Sequence, residues 1–94
     1  MTRARFVVRG RVHGVFFRAE AVREATARGL TGRVWNRADD AVELIAEGDA
    51  TSLAALEAWL ARGPRLAQVD SVDRMDLVDE RRYRDFSVAY AAPE

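Results

Sequence analysis

Cysteine is absent from this 94-residue chain, and lysine is missing as well. Without cysteine the chain forms no disulfides, performs no thiolate chemistry and builds no cysteine-based zinc site. It has one histidine, His13, and no cluster of carboxylates at ligand spacing, so we expect no metal and no cofactor. All 15 basic residues are arginines. Such uniform usage is typical of a composition bias, and only an individually placed arginine therefore indicates a function.

Long apolar runs are also missing. None approaches the ~20 residues that are needed to cross a bilayer. Residues 1–5 are followed by only three apolar residues before Arg9, which is not the pattern of a signal peptide. We therefore expect a cytoplasmic protein without a membrane partner.

The length suits one small domain, residues 1–94, and 49% hydrophobic residues suffice for a single two-layer core. The net charge is zero, but its distribution is uneven. Residues 1–37 carry nine arginines and two acids, a balance of +7, whereas residues 38–94 carry six arginines and thirteen acids, a balance of −7. A basic half can attract a small anion or a nucleic acid.

Hydrophobic periodicity and turn residues predict the secondary structure. Helices are expected at 18–28 and from near Asp49 to Arg62, and the strand over 69–78 has an irregular phase that indicates a bulge. Residues 80–85 mix charges and read as a solvated loop. The predicted strands are 3–9, 30–36, 41–47, 69–78 and 86–90.

This order is β-α-β-β-α-β with one added strand. It predicts an α+β, ferredoxin-like two-layer sandwich, in which two helices cover one face of an antiparallel sheet and a short C-terminal strand is added. Many unrelated functions share this fold, so the function has to be argued from a site.

The candidate site lies between the first strand and the first helix, from Gly10 to Arg18. A turn with two glycines before a helix can point several backbone N–H groups at one anion. Arg18, in the first helical turn, adds a planar fork of donors that suits phosphate oxygens. The spacing is neither a Walker A loop nor a dinucleotide fingerprint. An ordinary turn with a surface arginine is the alternative.

The same stretch resembles the acylphosphatase signature, Gly-x-Val-Gln-Gly-Val-x-Phe-Arg. It matches at Gly10, Val12, Gly14, Val15, Phe17 and Arg18. The family's second block, Gly-x-Val-x-Asn-x-x-Asp-Gly-x-Val-Glu, is matched at Gly32, Val34, Asn36, Asp39, Val42 and Glu43. Two blocks at the right separation are a specific signal, and the resemblance covers essentially the whole chain.

The resemblance implies a function and a set of site residues. Acylphosphatases hydrolyse the carboxyl–phosphate bond of acyl phosphates, and Arg18 and Asn36 would be the catalytic residues, with Asn36 holding the attacking water. From the residues alone, Asn36 would read as a turn former at a strand end. The implied phosphate-binding loop comprises Arg11, Val12, His13, Gly14, Val15, Phe16, Phe17 and Arg18. Phe16, Phe17 and Trp35 read as core or loop anchors.

Two residues depart from the family pattern. His13 stands where glutamine is usual, and because glutamine cannot act as a base, we interpret His13 as a loop-shaping side chain that hydrogen-bonds locally. Asp40 replaces the turn glycine of an Asp-Gly hairpin, a position that favours positive φ.

Two other functions compete with a free-standing enzyme. Hydrogenase-maturation proteins carry a similar domain that handles carbamoyl phosphate, and this chain could be such a domain excised from a larger protein. An RNA-binding sheet needs exposed aromatic residues on its central strands. The first strand offers only Phe6, on the same face as Ala4 and Val8, so we expect no nucleic-acid partner. A monomer is expected from the family.

Overall fold

The computed structural model describes residues 2–94 and confirms the predicted order of elements. Boundaries differ from the prediction by one or two residues. The elements are β1 (Thr2–Arg11), α1 (Phe17–Ala27), β2 (Thr31–Asn36), β3 (Val42–Gly48), α2 (Ala50–Arg62), β4 (Gln68–Leu77) and β5 (Phe86–Val88).

The strands form one five-stranded sheet in the order β4-β1-β3-β2-β5. The first four pair antiparallel, as in the predicted ferredoxin-like arrangement. The added strand β5 pairs parallel to β2 at the sheet edge, so the complete sheet is mixed. As a result β1, β2 and β5 run in the same direction. They end at Arg11, Asn36 and Val88, and we call this end of the sheet the upper edge.

The core lies between one face of the sheet and the two helices. Ala4, Phe6 and Val8 of β1 are fully buried on this face, as their alternation predicts. The helices contribute buried apolar side chains, Ala21 and Ala25 from α1 and Leu53, Leu56, Trp59 and Leu60 from α2. Within residues 2–94 no helix is long and apolar enough to span a membrane.

The predicted irregularity of β4 is a bulge opposite the end of β1. Arg9 pairs with Ser71 and Gly10 pairs with Val69, so Asp70 is an extra residue. Gly10 therefore lies within β1. The sequence had suggested instead that the turn begins at Gly10. A Cβ at Gly10 would stand 2.1 Å from the carbonyl oxygen of Gln68. Only glycine lets the two backbones approach this closely, and this approach sets where the following loop begins.

The sheet face away from the helices buries a carboxylate. Glu47 of β3 is fully buried and lies directly opposite Arg3, whose Nε donates to it at 2.7 Å. Thr31 Oγ1 donates to the other carboxylate oxygen at 3.0 Å. The backbone N–H groups of Arg82 and Tyr83 also donate, at 2.8 and 3.0 Å. Residues 80–85 are therefore not simply solvated, because this loop supplies two of the donors that satisfy a buried charge.

Arg3 also holds the C-terminal segment on this face of the sheet, through the two terminal nitrogens of its guanidinium. The guanidinium of Arg3 donates to Asp79 and to Glu94, both at 2.6 Å. The hydroxyl of Tyr83 donates to the same Glu94 oxygen at 2.8 Å. These contacts direct the chain that follows β5 back across the sheet.

We predict that Glu47→Gln lowers the free energy of unfolding at pH 7 by on the order of 3 kcal/mol, since it leaves Arg3 and two N–H donors without their charged partner. Burial by itself raises the pKa of Glu47, but the N–H groups of Arg82 and Tyr83, with Arg3 and Thr31, outweigh it and hold that pKa below its usual range. The stability it contributes is complete above the unfolded-state pKa and is lost as the pH falls through the folded-state pKa.

The difference between parent and Glu47→Gln should therefore shrink as urea denaturation is repeated from pH 7 down to pH 2. Glu57→Gln is the control, because Glu57 pairs with Arg74 at a half-exposed site and should contribute less than about 1 kcal/mol. A Glu47→Gln deficit that is independent of pH would contradict the electrostatic role.

Candidate functional site

A pocket of about 310 Å³ lies at the upper edge of the sheet. It contains both predicted catalytic residues, Arg18 from the first turn of α1 and Asn36 from the end of β2. They meet because β1 and β2 end at the same edge of the sheet, with only β3 between them. The lining residues are Val12, Gly14, Phe16, Phe17, Arg18, Ala19, Asn36, Val88 and Tyr90.

The loop between β1 and α1 is anchored at both ends and turned in the middle. Val12 and Phe17 are buried in the core and hold the two ends. Gly14 and Phe16 have φ of 70° and 62°, in the left-handed region. Left-handed residues let a short loop point successive N–H groups into one concavity. Nothing lies within 4 Å of where a Gly14 Cβ would be, so glycine is needed there for its conformation.

Backbone donors are available along this loop. Within residues 2–94, the N–H groups of residues 13–16 donate to no backbone carbonyl. The first turn of α1 adds more, because the first N–H groups of a helix have no intrahelical acceptor. The first backbone hydrogen bond of α1 comes only at Glu20, whose N–H donates to the carbonyl oxygen of Phe16 at 3.0 Å. The positive end of the helix dipole lies at the same place and favours an anion.

Arg18 is half-buried at the pocket wall. Across the described part of the chain it takes part in none of the ion pairs or side-chain hydrogen bonds, whereas Arg3, Arg5 and Arg37 are each committed to carboxylates. A half-buried guanidinium without a carboxylate partner retains its donors for a ligand.

Asn36 presents a buried acceptor. Its Oδ1 is buried and has no hydrogen-bond partner within residues 2–94. Left unsatisfied, a buried acceptor costs about 1–3 kcal/mol, a cost that a bound water or a ligand would remove. Asn36 itself pairs with Val42 in the sheet. In the turn that follows, Asp39 Oδ1 accepts from the N–H of Ala41 at 3.4 Å, so Asp39 performs the turn-forming role.

His13 ties the loop to the β2–β3 hairpin. Its Nε2 donates to the carbonyl oxygen of Ala41 at 3.0 Å. That oxygen also accepts the N–H of Arg37 at 2.8 Å, the bond that closes the hairpin turn. The bond is therefore long-range in sequence, although the prediction placed it nearby. Asp40, beside it, adopts φ of 68°, the conformation that the usual glycine takes without strain.

The predicted loop residues divide into two groups. Val12, Gly14, Phe16, Phe17 and Arg18 line the pocket, whereas Arg11, His13 and Val15 do not. Phe17 and Trp35 are buried as expected, but Phe16 is 75% exposed and is not a core anchor. The sequence reasoning missed Val88 and Tyr90 at the pocket, because strand periodicity does not show which sheet edge β5 joins. In residues 2–94 no group of three or more His, Cys, Asp and Glu side chains could hold a metal ion.

Fold and pocket together define a ferredoxin-like α+β domain with a loop of the anion-binding type after its first strand. A family model described as Acylphosphatase matches residues 4–88. The chain is 48% identical to an acylphosphatase of Methylococcus capsulatus over 88 residues, which cover 94% of this chain and 96% of that protein. It is 43% identical to one from Pasteurella multocida, over 96% of this chain and all of that protein.

Solved structures agree with the sequence comparisons. The acylphosphatase from Bacillus subtilis superposes with a TM-score of 0.92 at 33% identity, covering 96% of this chain and all of that one. Full-length HypF, solved in a phosphate- and nucleotide-bound form, matches with a TM-score of 0.83 at 25% identity, but this chain covers only 12% of it. The chain belongs to the acylphosphatase family, as its two sequence blocks indicate. Membership makes it a hydrolase that acts on acid anhydrides.

We predict that His13→Gln keeps turnover of an acyl phosphate within a few-fold of the parent. The pH dependence of the rate near neutrality should be the same in the variant as in the parent. The glutamine amide can still donate to the Ala41 carbonyl. His13→Ala, which removes the donor, should lower the free energy of unfolding by about 0.5–1.5 kcal/mol. Steady-state rates from pH 5 to 8 and urea denaturation measure both effects. Loss of activity in a folded His13→Gln protein would instead give His13 a catalytic role.

Proposed function

We propose that this protein hydrolyses acyl phosphates to a carboxylate and inorganic phosphate by direct attack of water. The loop from Arg11 to Arg18 binds the phosphoryl group, and Asn36 positions the water. One observation carries the proposal: a single pocket joins free loop amides, an arginine without a carboxylate partner and a buried amide oxygen without a hydrogen bond. Each of these groups is unsatisfied, and a phosphate with its attacking water would satisfy all of them.

Phosphate binding rests on the loop and Arg18. The transferred phosphoryl group spreads its charge over three equatorial oxygens, so positioned donors do most of the catalytic work. N–H groups after β1 and at the start of α1 supply short-range donors, and the guanidinium of Arg18 supplies a planar fork and a full positive charge. The same donors bind phosphate as a product, which predicts product inhibition.

Water positioning rests on Asn36. Its amide has both an acceptor and donors, so it can orient one water for in-line attack. The water oxygen forms the new bond to phosphorus as the bond from phosphorus to the carboxyl oxygen breaks. The two electrons of that bond leave with the carboxylate, and the water protons end on the phosphate or in solvent. Since a carboxylate is a good leaving group, the step needs no general acid and no metal.

We also propose that residues 1–94 form one domain that acts as a cytoplasmic monomer and does not bind nucleic acid. Phe6, the aromatic residue of the inner strand β1, is fully buried, so β1 exposes no aromatic ring for base stacking. The alternative, a carbamoyl-phosphate-handling domain excised from a larger protein, is less supported. The match to HypF is at 25% identity, against 48% for the Methylococcus acylphosphatase, whose length is almost entirely covered.

Hydrolysis of benzoyl phosphate by the purified protein, with and without EDTA, tests the proposed function. We expect turnover that is unchanged by EDTA and competitive inhibition by inorganic phosphate. Activity that disappears in EDTA and returns with magnesium would rule out this mechanism, and absence of hydrolysis under either condition would overturn the proposed function itself.

Variants of Arg18 and Asn36 separate phosphate binding from water positioning. We expect Arg18→Ala to lower kcat and to weaken inhibition by phosphate, because the guanidinium contacts the phosphoryl group both in the bound ground state and in the transition state. Asn36→Ala should lower kcat by about 10²- to 10³-fold, by analogy with the loss of one preorganised polar group, while phosphate inhibition stays near the parent value.

Each variant serves as the control of the other, and thermal unfolding checks that both are folded. Arg18→Lys should rescue poorly, because a point charge does not reproduce the bidentate fork. If a folded Asn36→Ala protein keeps full turnover, Asn36 does not position the water.

A further inference from the structure

A second, larger cavity of about 580 Å³ adjoins the site on the other side of the loop. Its apolar lining consists of Val15, Phe16, Trp59, Pro64 and Leu66, and Glu20 and Arg65 add opposite charges. Phe16 lines both cavities, so the two adjoin at this residue. The positions proposed above for the phosphate and for the attacking water both lie outside this groove.

The strand order places the groove and Asn36 on opposite sides of the loop. β1 leads into the loop, and its neighbours are β4 on one side and β3, then β2, on the other. The connection 63–67, which contains Pro64 and Leu66, enters β4 beside the end of β1, since Gln68 pairs with Arg11. Asn36 ends β2, two strands away in the other direction. The loop therefore separates the groove from the attacking water.

Because the displacement is in line, this arrangement determines the direction in which the acyl group of the substrate points. The attacking and leaving oxygens lie roughly in line on opposite sides of phosphorus. If Asn36 holds the water on the β2 side, the leaving carboxylate and the acyl group that it carries point toward the β4 side. That direction leads past Phe16 into the apolar groove.

Phe16 itself indicates that the groove has a ligand. It is 75% exposed and has φ of 62°, so a large apolar side chain is presented to solvent on a left-handed residue. Both features are unfavourable for an ordinary loop residue. Leu66, across the groove, is 65% exposed as well. An apolar ligand between the two would remove both side chains from water.

We propose, on the basis of the function proposed above, that this groove binds the acyl group and that Phe16 and Leu66 make the enzyme prefer substrates with an uncharged apolar acyl group, aromatic or branched aliphatic, over acetyl phosphate. Glu20 and Arg65 carry opposite charges, so the groove has no net charge that would select a charged acyl group.

The test compares kcat/KM for benzoyl phosphate and acetyl phosphate in the parent and in Leu66→Ser. Leu66 lies outside the phosphate loop and is mostly exposed, so the variant should fold. We expect the benzoyl-to-acetyl ratio to exceed one in the parent and to fall about threefold to tenfold in Leu66→Ser. One methylene in a closed pocket changes kcat/KM by about tenfold or more. We expect a smaller change here because the groove is open to solvent. The rate on acetyl phosphate and the inhibition by inorganic phosphate should stay unchanged.

Met75→Ser is the matched control, because Met75 is 62% exposed on β4 but does not line either cavity; its ratio should equal that of the parent. Both rates are measured on one sample, so partial unfolding cancels from the ratio. Suppose that the parent hydrolyses both substrates. If the benzoyl-to-acetyl ratio is not above one in the parent, or is unchanged in Leu66→Ser, the inference is wrong and the proposed function stands. If the parent hydrolyses neither substrate, the proposed function fails and the inference fails with it.

Discussion

The pairing register of β3 with its two neighbours is the constraint on which the site depends. Val42 of β3 pairs with Val8 of β1 on one side and with Asn36 of β2 on the other. With strands about 4.8 Å apart, Val8 and Asn36 are separated by about 10 Å along the upper edge. The loop that follows β1 has to fold back over the start of β3 within this distance. A shift of one residue in the pairing of β2 with β3 would turn Asn36 to the other face of the sheet.

The same register also explains the buried ion pair on the opposite face. In-phase pairing of β1 with β3 sets Arg3 directly opposite Glu47, and their contact at 2.7 Å satisfies one side of the carboxylate. The loop 80–85 and the C-terminal Glu94 complete the set of partners. A buried pair with such complete hydrogen bonding offsets its desolvation, whereas one with a missing donor would not. Through Glu94, Arg3 also holds the chain after β5 on the sheet, and Tyr90 of this segment lines the pocket.

At the site the chain accepts groups that elsewhere would be unfavourable. Phe16 is exposed and left-handed, Arg18 lacks a carboxylate and Asn36 Oδ1 lacks a hydrogen bond. By contrast, Arg5 and Arg37 are both paired with Glu43. Unsatisfied groups that converge on one pocket are typical of a site that is completed by its ligand. An anion with an apolar tail would satisfy the donors in one cavity and cover Phe16 in the other.

Local pattern alone determined much about this protein. Alternation and helical periodicity gave the elements and the core of β1, and two sequence blocks identified the family together with Arg18 and Asn36 as candidates. Only the tertiary structure decided that β5 joins β2 in parallel and brings Tyr90 to the pocket, that Glu47 is buried, and that Phe16 is exposed between two cavities. These features depend on partners that are distant in sequence, such as Arg82 for Glu47 and Leu66 for Phe16. A periodic pattern shows which face of its own element a side chain occupies, but it carries no information about what another element places there.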